Sequence, residues 1–286
     1  MLKLFGDLNR EQTDLCVLIL SASGIACTSA RSRNGWEVWV GEGDFEASLD
    51  KIAQYFKENP DTPPVPVLPL PEWHKTWSGI GAALLLAVVY WAEAYYGVAE
   101  TFVEKFGAVS DRILNGELYR TVTALMLHAD AAHLAGNMAG IALFGTAVCG
   151  VVRPGVGWLL ILMTGVLGNL ANAALQPPGH WSIGASTAVF GAIGLLSAFQ
   201  FWDKYQRPGY RLKAWLPLAG GLALLGLLGT AGEHTDLMAH LFGLLSGCLF
   251  GTVYSLFVGR CLPDKYQTIC GCITGVILVS AWFQPL

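Results

Sequence analysis

The feature that most restricts the fold of this chain is a series of long apolar stretches after residue 76. A helix needs about 20 residues to cross a membrane, and each stretch is close to that length. Only 13% of the residues in the whole sequence are charged. A helix also satisfies its own backbone polar groups in lipid. We therefore predict an all-α polytopic membrane protein. The predicted spans are 77–97, 131–150, 155–175, 182–201, 214–231, 237–258 and, as a shorter seventh, 268–284.

The first 59 residues carry charges, turns and short amphipathic segments instead. They predict a small α/β domain, since two short strands alternate with two helices. The predicted elements are a helix at 10–23, strands at 25–29 and 36–40 joined by a turn at Asn34-Gly35, and a helix to Asn59 that Asp44 caps. Prolines make 60–76 an extended tether. The six-helix core then covers 77–258, and 259–286 holds an inner loop and the seventh helix.

The distribution of Lys and Arg indicates how the chain is oriented. With the N-terminus in the cytoplasm, 14 basic residues fall on the inner side and three fall outside, all in the first outer loop: Lys105, Arg112 and Arg120. Cytoplasmic loops are enriched in these residues, so this orientation is strongly favoured. The seven cysteines avoid the outer loops, and we expect no disulfides. The N-terminus lacks the long apolar core of a cleaved signal peptide.

The loop at 98–130 joins the first two spans and is long for a helical bundle. It mixes apolar and charged residues, which predicts a structured element at the outer membrane surface. The net charge of -4 gives no reason to expect a nucleic-acid partner.

Four polar residues inside the spans suggest chemistry, because ionisable groups are costly in a membrane. His133 and Asn137 lie four residues apart on the second span, Ser186 begins the fourth, and His240 lies near the start of the sixth. These spans all run inward, so the four residues share one depth near the outer surface. Ser and His are the minimum for a nucleophile activated by a base. Asn and a second His are suitable hydrogen-bond donors to a developing oxyanion.

Glycines on two spans predict close helix packing around these residues. Gly184 precedes Ser186, and Gly191 and Gly194 follow it, while Gly243 and Gly247 follow His240. Small faces let membrane helices approach closely, although such faces are common in plain packing.

Several polar residues have simpler interpretations. Asp236 is placed either to cap the sixth helix or to orient His240 in a triad, and we favour the cap. We expect His180 and His234 to be solvated in outer loops. Glu93 lies among Trp91, Tyr95 and Tyr96, and we expect it to be anchored at the interface.

The sequence motifs resemble those of the rhomboid intramembrane serine proteases over about residues 115–250. The matching segments are Tyr119-Arg120, the series His128, His133 and Asn137, the segment Gly184-Ala185-Ser186-Thr187, and the series Ala239, His240, Gly243 and Gly247. The N-terminal domain also looks like the small cytoplasmic domain of some bacterial rhomboids. Three residues depart from the family pattern: Tyr119 replaces Trp, Thr187 replaces Gly, and Phe190 stands where Tyr is frequent.

The resemblance implies a mechanism and a setting. Ser186 would attack the scissile carbonyl with His240 as base, and His133, Asn137 and the Ser186 N–H would hold the oxyanion. His128 would tie the outer loop to the core, and Phe190 would stack on His240. The resemblance implies single-span membrane protein substrates and a bacterial inner membrane, with the site open to the outer face and no metal or cofactor.

Other classes are a catalytically silent rhomboid-like protein that binds client membrane segments, a metalloprotease and a transporter. No HExxH motif occurs, and we see no inverted repeats of broken helices. The sequence leaves the oligomeric state open.

Overall fold

The computed structural model describes residues 1–32, 35–59, 74–206, 211–228, 236–258 and 261–283. The predicted turn residue Asn34, the proline-rich segment 60–71 and His234 lie outside the described residues. The chain divides into two compact units, with residues 1–59 in the first and most of the residues after 73 in the second.

The first unit contains a three-stranded antiparallel sheet in the order β1-β3-β2. Its elements are β1 (Leu2–Leu8), α1 (Arg10–Ala22), β2 (Cys27–Ser32), β3 (Gly35–Val40) and α2 (Phe45–Glu58). Strand β1 was not predicted from the sequence, and it pairs with β3 from Leu2 opposite Val40 to Leu8 opposite Trp36. Strand β2 begins two residues later than predicted and continues to Ser32.

Local sequence explains the helix starts in this unit. Asn9 and Gln12 form a capping box at α1, with Asn9 accepting from the Gln12 N–H at 2.8 Å. Asp44 precedes α2 but forms no side-chain cap, because a 3-10 turn at Glu42–Asp44 leads directly into the helix. Asp44 therefore occupies the predicted N-cap position of α2, but its side chain forms no capping hydrogen bond. Buried apolar residues such as Phe5, Leu20 and Val38 form the core.

The second unit is helical, and its described residues include four helices long and apolar enough to cross a membrane. These are α3 (Ser78–Tyr96), the continuous segment Ala131–Val152, α9 (Pro154–Leu175) and α12 (Leu237–Phe257). The segment Ala131–Val152 comprises α7 (Ala131–Gly140), a π turn (Ile141–Gly145) and α8 (Thr146–Val152). The other predicted spans are also helical: α10 (Ser186–Gln206), α11 (Trp215–Leu228) and α13 (Asp264–Ser280).

The segment between α3 and α7 is structured, which confirms that part of the loop prediction. It contains α4 (Ala99–Phe106), β4 (Ala108–Val109), α5 (Ser110–Leu114), α6 (Arg120–Thr123) and a 3-10 turn (Ala124–Met126). Strand β4 pairs with β5 (Trp181–Ser182), just before Ser186.

Helix α13 packs against α9. Near its start, Gln267 accepts from the Val156 N–H and donates to the Val152 carbonyl, each at 3.0 Å, at the turn between α8 and α9. Just beyond its other end, the Trp282 ring lies 4.8 Å from the ring of Phe106 in α4. All seven cysteines are free thiols, as predicted.

Candidate active site

The chain reaches Ser186, the first residue of α10, through a backbone conformation that favours glycine. Gly184 has a φ of +120°, which strains residues with a Cβ, and its N–H donates to the Ala124 carbonyl at 2.9 Å. A Cβ at Gly184 would lie 2.5 Å from His133 Nε2 and 3.3 Å from Asn137 Nδ2. Without one, the segment leading to Ser186 lies directly against His133 and Asn137.

His133 and Asn137 lie one turn apart on α7. Asp130 caps this helix and accepts a hydrogen bond from the His133 N–H at 2.8 Å. Asn137 is buried, and its Nδ2 has no hydrogen-bond partner among the described residues. Leaving a buried donor unsatisfied is costly, and this one lies beside Gly184. The Asn137 amide can therefore donate a hydrogen bond to a group that binds close to Ser186.

His128 lies just before α7 and is also buried. Its Nδ1 is 3.2 Å from the Met126 carbonyl oxygen, and its ring centroid is 5.2 Å from that of His133. Burial, and to a lesser degree the charge of His133, lowers the pKa of His128 to about 4. The ring is thus neutral at neutral pH and lies between the outer segment and His133.

Helices α10 and α12 bring the neighbourhoods of Ser186 and His240 together. Phe190 lies one turn after Ser186, on the same face of α10. Its ring stacks on the His240 ring, with centroids 4.6 Å apart and planes inclined by 28°. Both rings are buried. The imidazole is therefore held against α10 one turn from the serine.

The two helices approach each other through glycines. A Cβ on Gly194 would lie 2.8 Å from the Cys248 nitrogen, and one on Gly247 would lie 2.9 Å from the Gly194 Cα. A Cβ on Gly243 would lie 3.0 Å from the Thr187 carbonyl carbon. Real side chains avoid such distances, so these glycines permit the observed spacing.

Helix α9 lies on another side of α10. A Cβ on Gly191 would overlap the Thr164 side chain of α9, and one on Gly168 of α9 would lie 2.6 Å from the Thr187 methyl group. Thr187 replaces a family glycine and brings a bulkier side chain next to Ser186. Its methyl group is turned toward α9, because Gly168 leaves room for it.

The Tyr119-Arg120 pair holds the outer segment together. Arg120 is buried, and its guanidinium donates to Glu117 at 2.6 Å and to the Gly107 carbonyl at 2.9 Å. Tyr119 donates to the same Glu117 carboxylate at 3.0 Å. The hydrogen bond from Arg120 is the main reason that the pKa of Glu117 is lowered. The pair therefore stabilises the loop.

Asp236 caps α12, as we favoured. One of its oxygens accepts from the Ala239 N–H at 3.1 Å, and the other accepts from Asn172 Nδ2 at 2.6 Å and His180 Nε2 at 2.8 Å. The expectation of a solvated His180 is wrong, since its side chain is 29% exposed and binds this carboxylate. Burial would raise the pKa of Asp236, but the hydrogen bonds, that of His180 foremost, lower it overall.

Glu93 faces away from the aromatic residues beside which we expected it to be anchored. Glu93 is only 4% exposed, whereas its aromatic neighbours Trp91, Tyr95 and Tyr96 are at least 66% exposed. Its side chain projects into the helix bundle, and the aromatic residues project outward.

Sequence reasoning missed the amides of α9. Asn172 binds Asp236, and Asn169 donates to the Thr121 carbonyl at 3.0 Å, so both connect α9 to other segments. Two amides one turn apart in an otherwise apolar span were the available signal, since polar groups in lipid need partners. Gly168, on the same helix, was missed because its reason lies in tertiary neighbours, Thr187 of α10 and Gly243 of α12.

The sequence model described as "Rhomboid domain" matches residues 115–257. The chain is 38% identical over 98 residues to "Rhomboid protease GluP" of Bacillus subtilis, covering 34% of this chain and 19% of that protein. It is 29% identical over 209 residues to "RHOMBOID-like protein 7" of Arabidopsis thaliana, covering 65% and 64%.

A third relative, "Inactive rhomboid protein 2" of Homo sapiens, is 26% identical over 176 residues, which cover 59% of this chain and 20% of the relative. The chain thus spans less than two thirds of the length of each of these three relatives. The matched region contains Ser186, His240 and the elements that position them. This chain belongs to the rhomboid family.

Proposed function

We propose that the protein is an intramembrane serine endopeptidase with Ser186 as nucleophile and His240 as general base. The observation that carries this proposal is the stacking of His240 on Phe190, one turn from Ser186. In the proposed mechanism, His240 takes the Ser186 hydroxyl proton as the oxygen attacks the scissile carbonyl. It then returns the proton to the leaving amine.

The proposed oxyanion site consists of the Ser186 N–H, Asn137 and His133. The buried, unpaired Asn137 Nδ2 beside Gly184 supports it. Donors that are held in place before the reaction stabilise the developing charge without reorganising. His128 then acts as a buried neutral ring that supports His133.

We further propose that seven helices cross the membrane, with the N-terminus in the cytoplasm of a bacterial cell and the site open to the outer face. Helix α13 supports this count, because its ends contact the α8–α9 turn and α4. The domain boundaries of this proposal are 1–59, 60–76, 77–258 and 259–286.

The proposed substrates are single-span membrane proteins. Peptide bonds in a membrane helix are protected by its hydrogen bonds. Cleavage therefore requires a segment that unwinds readily, such as one rich in Gly, Ala, Ser or Pro. The proposal includes no metal, cofactor or nucleic acid.

A second candidate is a catalytically silent protein that binds client membrane segments, which similarity to an inactive human rhomboid keeps open. Purified wild-type protein should cleave a single-span model substrate in detergent, and Ser186→Ala and His240→Ala should not. Substrate binding without cleavage by folded wild-type protein would favour the silent class instead.

A further inference from the structure

The Asp236 carboxylate joins three segments that meet beside the candidate active site. Asn172 belongs to the last turn of α9, His180 belongs to the loop that leads to Ser186, and Asp236 itself caps α12. The carboxylate is largely buried, with 13% of the side chain exposed. Buried charged hydrogen bonds are strong and directional.

The loop that carries His180 is fixed on its other side by the outer segment. The His180 carbonyl accepts from the Ser110 N–H at 2.9 Å, and the Asp111 carboxylate accepts from the Gly179 N–H at 2.9 Å. The chain then passes through β5, which pairs with β4, and reaches Ser186 four residues after the end of β5. A displacement of His180 would therefore be transmitted along a short, tethered segment to Ser186.

Asp236 is equally close to the proposed base. Its backbone carbonyl accepts from the His240 N–H at 3.2 Å, and its side chain accepts from the Ala239 N–H. Its carboxylate hydrogen bonds go to Ala239, Asn172 and His180, and among the described residues none goes to the His240 ring. The carboxylate thus fixes the start of α12 without being the third member of a triad.

We infer that Asp236 and His180 are positioning residues that set the spacing between Ser186 and His240. This inference rests on the proposed protease function and extends it. Asn172 completes the site, because it donates to the same Asp236 oxygen that binds His180. The end of α9 therefore holds both the His180 loop and the start of α12 in position. Reaction geometry needs such support, because small misplacements of reacting groups cost orders of magnitude in rate.

The test compares kcat, KM and the rate of Ser186 labelling by a fluorophosphonate in purified full-length protein. His180→Leu removes the donor, and His74→Leu is the matched control, since it makes the same change far along the sequence from these segments. We expect His180→Leu and Asp236→Ala to lower kcat and the labelling rate at least tenfold, with KM changed less than threefold. His180→Gln should recover most of the rate, because its amide can donate to the carboxylate.

The double variant His180→Leu/Asp236→Ala should be no slower than the slower single variant, because Asp236→Ala already removes the contact that His180→Leu breaks. The inference is overturned if folded His180→Leu matches His74→Leu in kcat and labelling, or if His180→Gln is as slow as His180→Leu. If wild-type protein is neither labelled nor active, the proposed function itself fails, and the positioning inference fails with it.

Discussion

At the scale of single residues, the proposed role of His240 as general base depends on what holds its ring. In a triad, a carboxylate orients the imidazole, and its loss costs orders of magnitude. Here the ring stacks on Phe190, and the Asp236 carboxylate binds Asn172 and His180. The sequence offered both alternatives, because Asp236 precedes His240 by one helical turn. Only the tertiary contacts of the carboxylate distinguish them.

This difference predicts a ranking of variants. Phe190→Ala should reduce the initial cleavage rate substantially, by freeing the ring. Asp236→Asn should keep most activity, since Asn caps helices well and its amide can still form a hydrogen bond with a neutral His180. The rates are measured on one model substrate at equal folded-enzyme concentration. A thousandfold loss in Asp236→Asn with Phe190→Ala unaffected would make the enzyme a triad protease.

His128 gives a prediction about pH. Its pKa is about 4 in the folded protein and about 6.5 when unfolded, so the unfolded state takes up the proton first. The contribution of the neutral His128 ring to the free energy of unfolding should therefore be fully present above pH 6.5. It should be lost as the pH is lowered toward 4, by up to about 3 kcal/mol. Denaturant unfolding in detergent across this range should show a smaller loss for His128→Gln than for wild type. Equal losses in both would contradict the burial of a neutral ring.

At the scale of helices, glycines decide how closely α10 and α12 approach. Helical spacing made this pairing predictable, because Gly243 and Gly247 recur with His240 on one face of α12, and Gly194 lies at helical spacing from Ser186 on α10. The sequence could not predict β1 or the arrangement of α4 to α6. These are short elements whose pairing depends on distant residues, such as Arg120 with the Gly107 carbonyl. His180 was misjudged for the same reason, since its partner lies 56 residues away.

Adding one methyl group should test this helix contact. Gly247→Ala places a Cβ 2.9 Å from the Gly194 Cα and against the Gly191 carbonyl. Overpacking of this kind costs about 1–3 kcal/mol, so we expect a lower melting temperature and a lower cleavage rate. Gly220→Ala in α11 is the control, because its Cβ would meet nothing within 4 Å. Similar melting temperatures for the two variants would show that the contact between α10 and α12 accommodates an extra methyl group.

Helix α13 leads to a topological prediction. Its start contacts the α8–α9 turn and the residue just beyond its end contacts α4, so we expect an outer C-terminus if the N-terminus is cytoplasmic. A reporter fused after Leu286 should then report an external location, and one fused after Lys204 an internal location. Cytoplasmic signal from the Leu286 fusion would mean that α13 does not cross.

At the scale of the whole molecule, the chain separates into two units, and every proposed catalytic group lies in the second. In the sequence, the charged first 59 residues differ from the long apolar stretches after residue 76, which is why we expect a separate N-terminal domain. The first unit has its own buried core and sheet. Its removal takes away no proposed site residue.

Deleting residues 1–70 should therefore leave the cleavage rate within a few-fold of wild type, provided that the truncated protein folds. Thermal unfolding of both proteins provides the folding control. Complete loss of turnover in a folded truncation would show that the first unit takes part in catalysis.

The central claim is that Ser186 is a nucleophile activated by His240. Its most direct test is to treat the purified protein with a fluorophosphonate and locate the adduct by peptide mass spectrometry. The account predicts one adduct, on Ser186, that is lost in His240→Ala while that variant remains folded. An adduct on another residue, or equal labelling of Ser186 in His240→Ala, would contradict it.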